Sequence, residues 1–200
     1  MKLGILGGTF NPIHNGHIQM ANYAIKNYKL DNIFILPSGQ PPHKDKMELI
    51  NAYERYEMCL LAVMHYDNIM VESLEIERNG KTYTFDTLSQ LRKQYGINNQ
   101  IYYIVGGDTL LNLHSWKMAK EVFKMTTFIV FLRKGYNNKE IITQSDLLKK
   151  EYNANILLDY SEILDVSSTE IRKRISQNIS ISNLVSKEVE QYIYEHKIYR

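Results

Sequence analysis

The sequence has few cysteines, few prolines and little net charge. It contains one cysteine, Cys59, four prolines and a formal net charge of only +2 in 200 residues. A single cysteine cannot form an internal disulfide and is typical of a reducing compartment, so we expect a cytoplasmic protein. A surface built to bind nucleic acid usually carries a basic stripe, which this small charge argues against. Any recognition of phosphate must therefore be local.

The sequence also lacks a long hydrophobic run. Its first apolar stretch soon reaches Gly7 and Gly8, so we expect neither a signal peptide nor a membrane span. No repeat, low-complexity tract or flexible linker divides the chain. With 44% hydrophobic residues, it can bury a core of its own. We predict one domain, 1–200, with an α/β core at 1–165 and a helical segment at 166–200.

Short β-rich runs alternate with stretches of helical apolar spacing. Several runs are apolar throughout, as parallel strands covered on both faces should be. The alternation predicts a Rossmann-like, doubly wound α/β fold with a mostly parallel sheet, a small C-terminal helical addition, and ligands beyond the carboxyl ends of the strands. The predicted strands are 3–6, 33–36, 69–71, 101–105, 127–131 and 156–158. The predicted helices are 16–28, 48–65, 85–95, 117–124, 146–152, 169–177 and 187–195.

A segment rich in glycine and histidine follows the first predicted strand. Its sequence is Gly7-Gly8-Thr9-Phe10-Asn11-Pro12-Ile13-His14-Asn15-Gly16-His17. Glycines at this point allow a backbone to approach a ligand closely. On a helix beginning near Asn15, His14 and His17 would share one face, and the helix N-terminus would add free N–H groups for a phosphate.

Other interpretations of this segment are weaker. Two solvated turn histidines are the plain alternative. A zinc site would need further ligands at suitable spacing, which the sequence does not supply. Neither the dinucleotide-binding fingerprint nor the P-loop matches, because the required glycine and lysine positions are absent.

A second polar segment runs from Val166 to Arg172. The hydroxyls of Ser167, Ser168 and Thr169 lie where a helix should begin, and Arg172 follows one turn later. By themselves the hydroxyls are typical of an ordinary N-cap. Because Arg172 adds a bidentate donor near the same helix end, we interpret the segment as a second phosphate site.

Three further segments also follow predicted strands. A proline-rich loop ends at Lys44, a mobile cation that can reach a phosphate, although a solvated surface loop is the alternative. Thr84 and Asp86 open a predicted helix and would by default be capping residues. Asp108 follows two glycines, and Trp116 would by default be a core or surface aromatic residue.

These segments together resemble one family. The first is similar to the His-x-Gly-His signature of the nucleotidylyltransferase superfamily, and the second to its Ser-Ser-Thr-x-Ile-Arg motif. The Pro-Pro-His-Lys loop and the region of Trp116 resemble the nicotinate mononucleotide adenylyltransferase branch. Two positions depart from the family pattern, because Lys134 replaces a proline after Arg133 and Val166 replaces an isoleucine. The resemblance extends from Leu3 to Arg172.

The resemblance implies adenylyl transfer from ATP to nicotinate mononucleotide by direct in-line attack, with Mg²⁺ bridging phosphate oxygens. Its implied catalytic residues are His14, His17, Lys44 and Arg172, with His17 on the transferring α-phosphate. Its implied ATP-binding residues are Gly7, Gly8, Thr9, Phe10, Gly106, Asp108, Ser167, Ser168 and Thr169. Its implied mononucleotide-binding residues are Thr84, Asp86, Trp116 and Arg133. Asp108 is also a candidate metal ligand, and the indole of Trp116 suits stacking on a pyridine ring.

Three alternatives remain open at this point. Pantetheine-phosphate adenylyltransferase shares the first and last motifs but not the proline-rich loop. A nucleotide sensor could keep the fold without turnover, and the many tyrosines could stack on bases in a nucleic-acid-binding module. We expect no nucleic-acid partner and no membrane partner. Nicotinate cannot be distinguished from nicotinamide by residue type, and a homo-oligomer is compatible with the sequence.

Overall fold

The computed structural model describes residues 1–41, 49–96, 100–132 and 138–200. Six strands form one sheet in the order β3-β2-β1-β4-β5-β6, and every neighbouring pair is parallel. The strands are β1 Lys2–Gly8, β2 Asn32–Pro37, β3 Ile69–Val71, β4 Gln100–Gly106, β5 Thr127–Phe131 and β6 Asn155–Asp159. The order reverses between β1 and β4, which makes that junction the topological switch point of the sheet.

Helices cover both faces of this sheet. They are α1 Asn15–Tyr28, α2 Ala52–Val63, α3 Thr84–Tyr95, α4 Gly107–Leu110, α5 Ala119–Met125, α6 Lys139–Tyr152, α7 Ser168–Ser176 and α8 Lys187–Glu195. Buried side chains of α1, α2, α7 and α8 pack on one face, and those of α3, α4, α5 and α6 on the other. Strand residues alternate between the two cores, since Leu6 faces the first whereas Leu3 and Ile5 face the second.

The predicted fold class is confirmed, and the sheet is parallel at every pair. Most element bounds agree within two residues, but α6 begins at Lys139 rather than at 146. Its first two turns were missed because the β-branched residues near Ile141 have lower helix propensity, whereas Ile141 packs on the core as part of the helix. Helix α2 begins at Ala52, where the Asn51 side chain accepts from the backbone N–H of Tyr53. Helix α4 is too short to be recognised by periodicity.

The C-terminal segment joins the core on the α1 face. Ile171 and Ile175 of α7, and Val189 and Ile193 of α8, are buried in the same cluster as Ala21 of α1. In the part of the chain that the structure describes, no helix has the length and apolar character needed to cross a bilayer. The boundary at 165/166 stays a prediction.

Candidate functional site

A large cleft opens at the carboxyl ends of β1 and β4. Its volume is about 1620 Å³, ample for two nucleotide-sized ligands because a drug-sized pocket occupies about 300–1,000 Å³. It lies at the switch point, where open parallel sheets bind ligands. Among the residues predicted for the site, those lining the cleft are Gly7, Gly8, Thr9, His14, His17, Thr84, Gly106, Asp108, Trp116, Ser167, Ser168 and Thr169.

The two histidines meet at the start of α1. Their rings stack with centroids 3.6 Å apart and an angle of 21° between planes. The backbone N–H of His14 donates to Nδ1 of His17 at 3.2 Å, so a neutral His17 ring carries its proton on Nε2. A side chain at Gly16 would come within 3.2 Å of the His14 ring. The three-residue spacing thus brings the two histidines together as predicted. The structure also leaves little room for a side chain at Gly16.

Burial determines the charge of His14. His14 is only 8% exposed, so it is not a solvated turn residue. Burial lowers the pKa of His14 to about 4, because the charged imidazolium is poorly solvated in the protein interior. Without a ligand, His14 is therefore neutral at pH 7 rather than a cation.

The glycines of the site differ in what requires them. A Cβ on Gly7 would collide with the Tyr103 hydroxyl, and one on Gly8 would lie 2.9 Å from the ring of Phe10. These two positions are thus glycine because of the protein's own packing. A Cβ on Gly106 would meet nothing within 4 Å. Since Gly106 lines the cleft, its missing side chain leaves room for a ligand.

Phe10 has a supporting position rather than one on the cleft wall. It is 2% exposed and its ring stands edge-on to His17, with centroids 5.0 Å apart. Its backbone φ is 49°, in the left-handed region that side chains other than glycine seldom adopt. Phe10 therefore buttresses the imidazole of His17.

A buried arginine that sequence reasoning missed holds the loop after β1. Arg55 of α2 is 1% exposed and donates to the carbonyl oxygens of Thr9 at 2.6 Å and Ser38 at 2.7 Å. It thereby joins the loops that follow β1 and β2. The signal was present in the sequence, because Arg55 shares a helical face with the buried Met58 and Cys59.

Helix α7 approaches the cleft through its N-terminus. Ser167 accepts a hydrogen bond from the N–H of Glu170 at 3.1 Å, so it is the N-cap of α7, and the phosphate site at this segment stays a prediction. Ser168 donates to the Pro12 carbonyl at 2.8 Å. Arg172 donates to the Asn11 carbonyl at 3.0 Å and to the Thr169 hydroxyl at 3.4 Å, so it lies behind the cleft wall. These contacts join α7 to the loop that carries the histidines.

The opposite wall comprises Trp116 and the start of α3. The indole is half-buried and stands edge-on to Tyr103, with ring centroids 5.9 Å apart. Asp86 pairs with Lys117 at 3.4 Å and is not part of the cleft wall, whereas Thr84 and Lys117 are. The Lys117 ammonium also lies 4.4 Å from the Tyr83 ring centroid, a cation–π contact. Lys117 thus bridges the two segments of this wall.

A buried carboxyl group at this wall was also missed. Glu75 is 7% exposed and lines the cleft. Burial raises its pKa, while the Thr87 hydroxyl, which donates to Oε1 at 2.7 Å, opposes that shift. Arg78 donates to the same hydroxyl at 3.0 Å. One carboxylate after a short strand gave no sequence signal for this role.

Comparisons with known proteins show the family of this chain. A family model described as cytidylyltransferase-like matches residues 5–174. A protein of Thermoanaerobacter sp. (strain X514) named "Probable nicotinate-nucleotide adenylyltransferase" is 37% identical over 200 residues, covering 100% of this chain and 95% of its own length. A protein of the same name from Clostridium tetani (strain Massachusetts / E88) is 36% identical over 199 residues, covering 100% of this chain and 99% of its own length. The chain belongs to the nicotinate-nucleotide adenylyltransferase family.

A solved structure matches the fold over nearly the whole chain. Plasmodium falciparum nicotinic acid mononucleotide adenylyltransferase complexed with NaAD superposes with a TM-score of 0.79 at 18% identity, covering 99% of this chain and 97% of that one. At this identity, the likeness concerns the fold alone.

Two predicted site residues, Lys44 and Arg133, lie outside the described residues and stay predictions. Within the described ranges, no group of three or more histidine, cysteine or acidic side chains could hold a metal ion. Asp108 is exposed in the first turn of α4 and lines the cleft. One carboxylate fits Mg²⁺, which keeps several waters and is usually held jointly by protein carboxylates and substrate phosphates.

Proposed function

We propose that this cleft transfers the adenylyl group of ATP to nicotinate mononucleotide, the reaction of the family to which the chain belongs. The mononucleotide phosphate would attack the α-phosphorus of ATP, forming one P–O bond as the bond to pyrophosphate breaks. The products are nicotinate adenine dinucleotide and pyrophosphate. The observation that carries this proposal is the stacked His14–His17 pair at the switch point, with the N-terminus of α7 beside it in the same cleft.

The attacking phosphate is already an anion, so the site needs no general base for the nucleophile. Its task is to align two anions and to stabilise charge that develops between them. We assign this to the Nε2–H of His17, supported by neutral His14. For the leaving pyrophosphate we assign the backbone N–H groups that begin α7, with Lys44. Arg172 is assigned to the same pyrophosphate. A guanidinium has five N–H donors, so donors remain for the pyrophosphate besides those bonded to Asn11 and Thr169.

The two nucleotides would occupy different parts of the cleft. Gly7, Gly8, Thr9 and the open position at Gly106 would receive ATP, with Phe10 acting through His17. Trp116, Thr84 and Arg133 would bind the mononucleotide, with Asp86 acting through its ion pair with Lys117. Magnesium would enter with the triphosphate and neutralise part of its charge, and Asp108 is the candidate protein ligand for it. The free, buried thiol of Cys59 agrees with a cytoplasmic reaction.

A substrate comparison tests this proposal. Purified protein is offered ATP and Mg²⁺ with nicotinate mononucleotide, nicotinamide mononucleotide or phosphopantetheine, and pyrophosphate release is followed. We expect the fastest release with nicotinate mononucleotide and formation of the acid dinucleotide. Pyrophosphate release with phosphopantetheine alone would indicate a pantetheine-phosphate adenylyltransferase, and release with none of the three substrates would indicate a nucleotide sensor. Omission of Mg²⁺, with Mn²⁺ in a parallel reaction, tests the metal assignment.

A further inference from the structure

The C-terminal segment touches the loop that carries the histidines. The backbone N–H of Asn15 donates to the Leu184 carbonyl at 2.8 Å. The Asn15 side chain donates to the carbonyls of Asn183 at 3.1 Å and Val185 at 3.4 Å. These residues lie beyond the region 5–174 matched by the family model. The start of α1 is therefore fixed by a part of the chain outside the matched region.

Tyr199 makes the most specific of these contacts. Its hydroxyl donates to Oδ1 of Asn11 at 2.8 Å, joining residues 188 positions apart. Asn11 is 2% exposed, so the bond is sheltered from competing water. Burial raises the pKa of Tyr199, which keeps the phenol protonated as a donor.

The position of Tyr199 is set by the core rather than by chance surface contact. Its neighbour Ile198 is 6% exposed and belongs to the core cluster of the α1 face, and the Ile198 N–H donates to the Ile193 carbonyl of α8 at 3.0 Å. The Tyr199 backbone has a φ of 66°, which turns the chain after α8. Packing thus directs the phenol toward Asn11.

Asn11 connects these contacts to the reacting groups. Its carbonyl accepts from Arg172 at 3.0 Å while its side chain accepts from Tyr199. Three residues later, His14 stacks on His17. A loop held at both its backbone and its side chain has little freedom to displace the imidazoles.

We propose that Tyr199 is a positioning residue for adenylyl transfer. Its hydroxyl holds the Asn11 side chain and, through the loop, sets where His14 and His17 meet the transferring phosphate. This inference rests on the proposed function. It gives the C-terminal segment a role in the reaction besides closing the core.

Tyr199→Phe tests this role, because it removes the hydroxyl and keeps the ring. We expect kcat to fall on the order of tenfold, since small displacements of aligned groups slow transfer steeply. The KM values for ATP and nicotinate mononucleotide should stay within about twofold, because Tyr199 does not line the cleft. Tyr194→Phe is the matched control, since Tyr194 packs on the same core under Arg200 and should leave kcat unchanged. Rates are compared at equal folded fraction, measured by thermal unfolding.

A double-mutant cycle separates positioning from general stability. If the two side chains act through one bond, Tyr199→Phe should change kcat little in an Asn11→Ala background. Additive effects, or an unchanged kcat in Tyr199→Phe, would overturn the inference. Should Tyr199→Phe not fold, Asn11→Ala removes the same bond from the acceptor side and carries the same expectation.

A spectroscopic readout makes the test independent of turnover. In histidine-labelled protein, Tyr199→Phe should move the ring signals of His14 and His17 in two-dimensional ¹H–¹³C NMR spectra. The signals of His65 and His114 should stay in place. Unmoved His14 and His17 signals would contradict the inference. Failure of the unaltered protein to form the dinucleotide would instead count against the proposed function.

Discussion

On the β1 side of the cleft, the loop after the strand is held by its backbone carbonyls, whereas the side of Trp116 and α3 depends on contacts between side chains. Arg55, Arg172 and Ser168 donate to three carbonyls of the first wall at 2.6, 3.0 and 2.8 Å. The second wall is bridged by Lys117, whose ion pair with Asp86 is partly exposed. Exposed pairs of this kind contribute only about 0–1 kcal/mol.

The difference separates two tasks of a transferase. Reacting groups must be held close to one geometry, and carbonyls bound by buried or half-buried donors achieve this. A substrate-binding wall can adapt, since it contributes to binding in the ground state as well as in the transition state. We therefore expect changes on the first wall to affect kcat or stability, and changes on the second to affect KM.

The largest effect should come from His17→Ala on the first wall. Because His17 is assigned to the transferring phosphate, kcat should fall on the order of 10²-fold or more with a small change in the KM for ATP. His114→Ala is the matched control, since that exposed histidine contacts Gln144 and does not line the cleft. Steady-state pyrophosphate release measures both. A kcat of His17→Ala within threefold of that of the unaltered enzyme would contradict the assignment of kcat effects to the first wall.

The pH dependence of stability should show how strongly His14 is confined. The unfolded chain binds a proton at His14 near pH 6.5, whereas the folded protein does so only near pH 4. Stability from this group is therefore complete above pH 6.5 and decreases as the pH falls toward 4. Between pH 7 and pH 5 the loss attributable to His14 is about 2 kcal/mol.

Urea unfolding without nucleotides, at pH 7 and pH 5, measures this loss. His14→Asn removes the titrating group and retains a good N-cap residue, so its free energy of unfolding should fall less over the same interval. Parallel pH profiles for the two proteins would show that the His14 ring is not confined.

The smallest of these effects should come from Trp116→Ala on the second wall. Loss of a stacking surface should raise the KM for nicotinate mononucleotide about tenfold, as base–aromatic stacking contributes about 1–3 kcal/mol. The KM for ATP should stay unchanged. Trp116→Phe keeps an aromatic face and should recover most of the affinity. Equal initial rates of Trp116→Ala and the unaltered enzyme at limiting mononucleotide would contradict a role for Trp116 in binding the mononucleotide.

Much of the fold and part of the site could be predicted from local sequence. The apolar runs fixed the six strands, and the three-residue spacing placed His14 and His17 on one helix end. The same local information assigned the hydroxyls of Ser167 and Ser168 to a helix start. It succeeded there because caps, spacing and strand ends depend on neighbours in sequence.

The residues that sequence reasoning missed act over long distances in the chain. Arg55 reaches Thr9 across 46 positions, and the cleft position of Glu75 depends on how its loop packs against Thr87. The neutral state of His14 likewise follows from burial, which no local pattern contains. The glycines also could not be interpreted from residue type alone. Gly7 is required by its contact with Tyr103, whereas Gly106 leaves open space in the cleft.

The hydrogen bond between Asn11 and Tyr199 has a consequence for biosynthesis. A ribosome makes the histidine loop first and adds Arg55, Ser168, Leu184 and Tyr199 later, in that order. The loop therefore receives its last support only after α8 has been made and has folded onto the core. A nascent chain that ends before Tyr199 would lack this last support, so full turnover should be reached only after Tyr199 has been made and has bonded to Asn11.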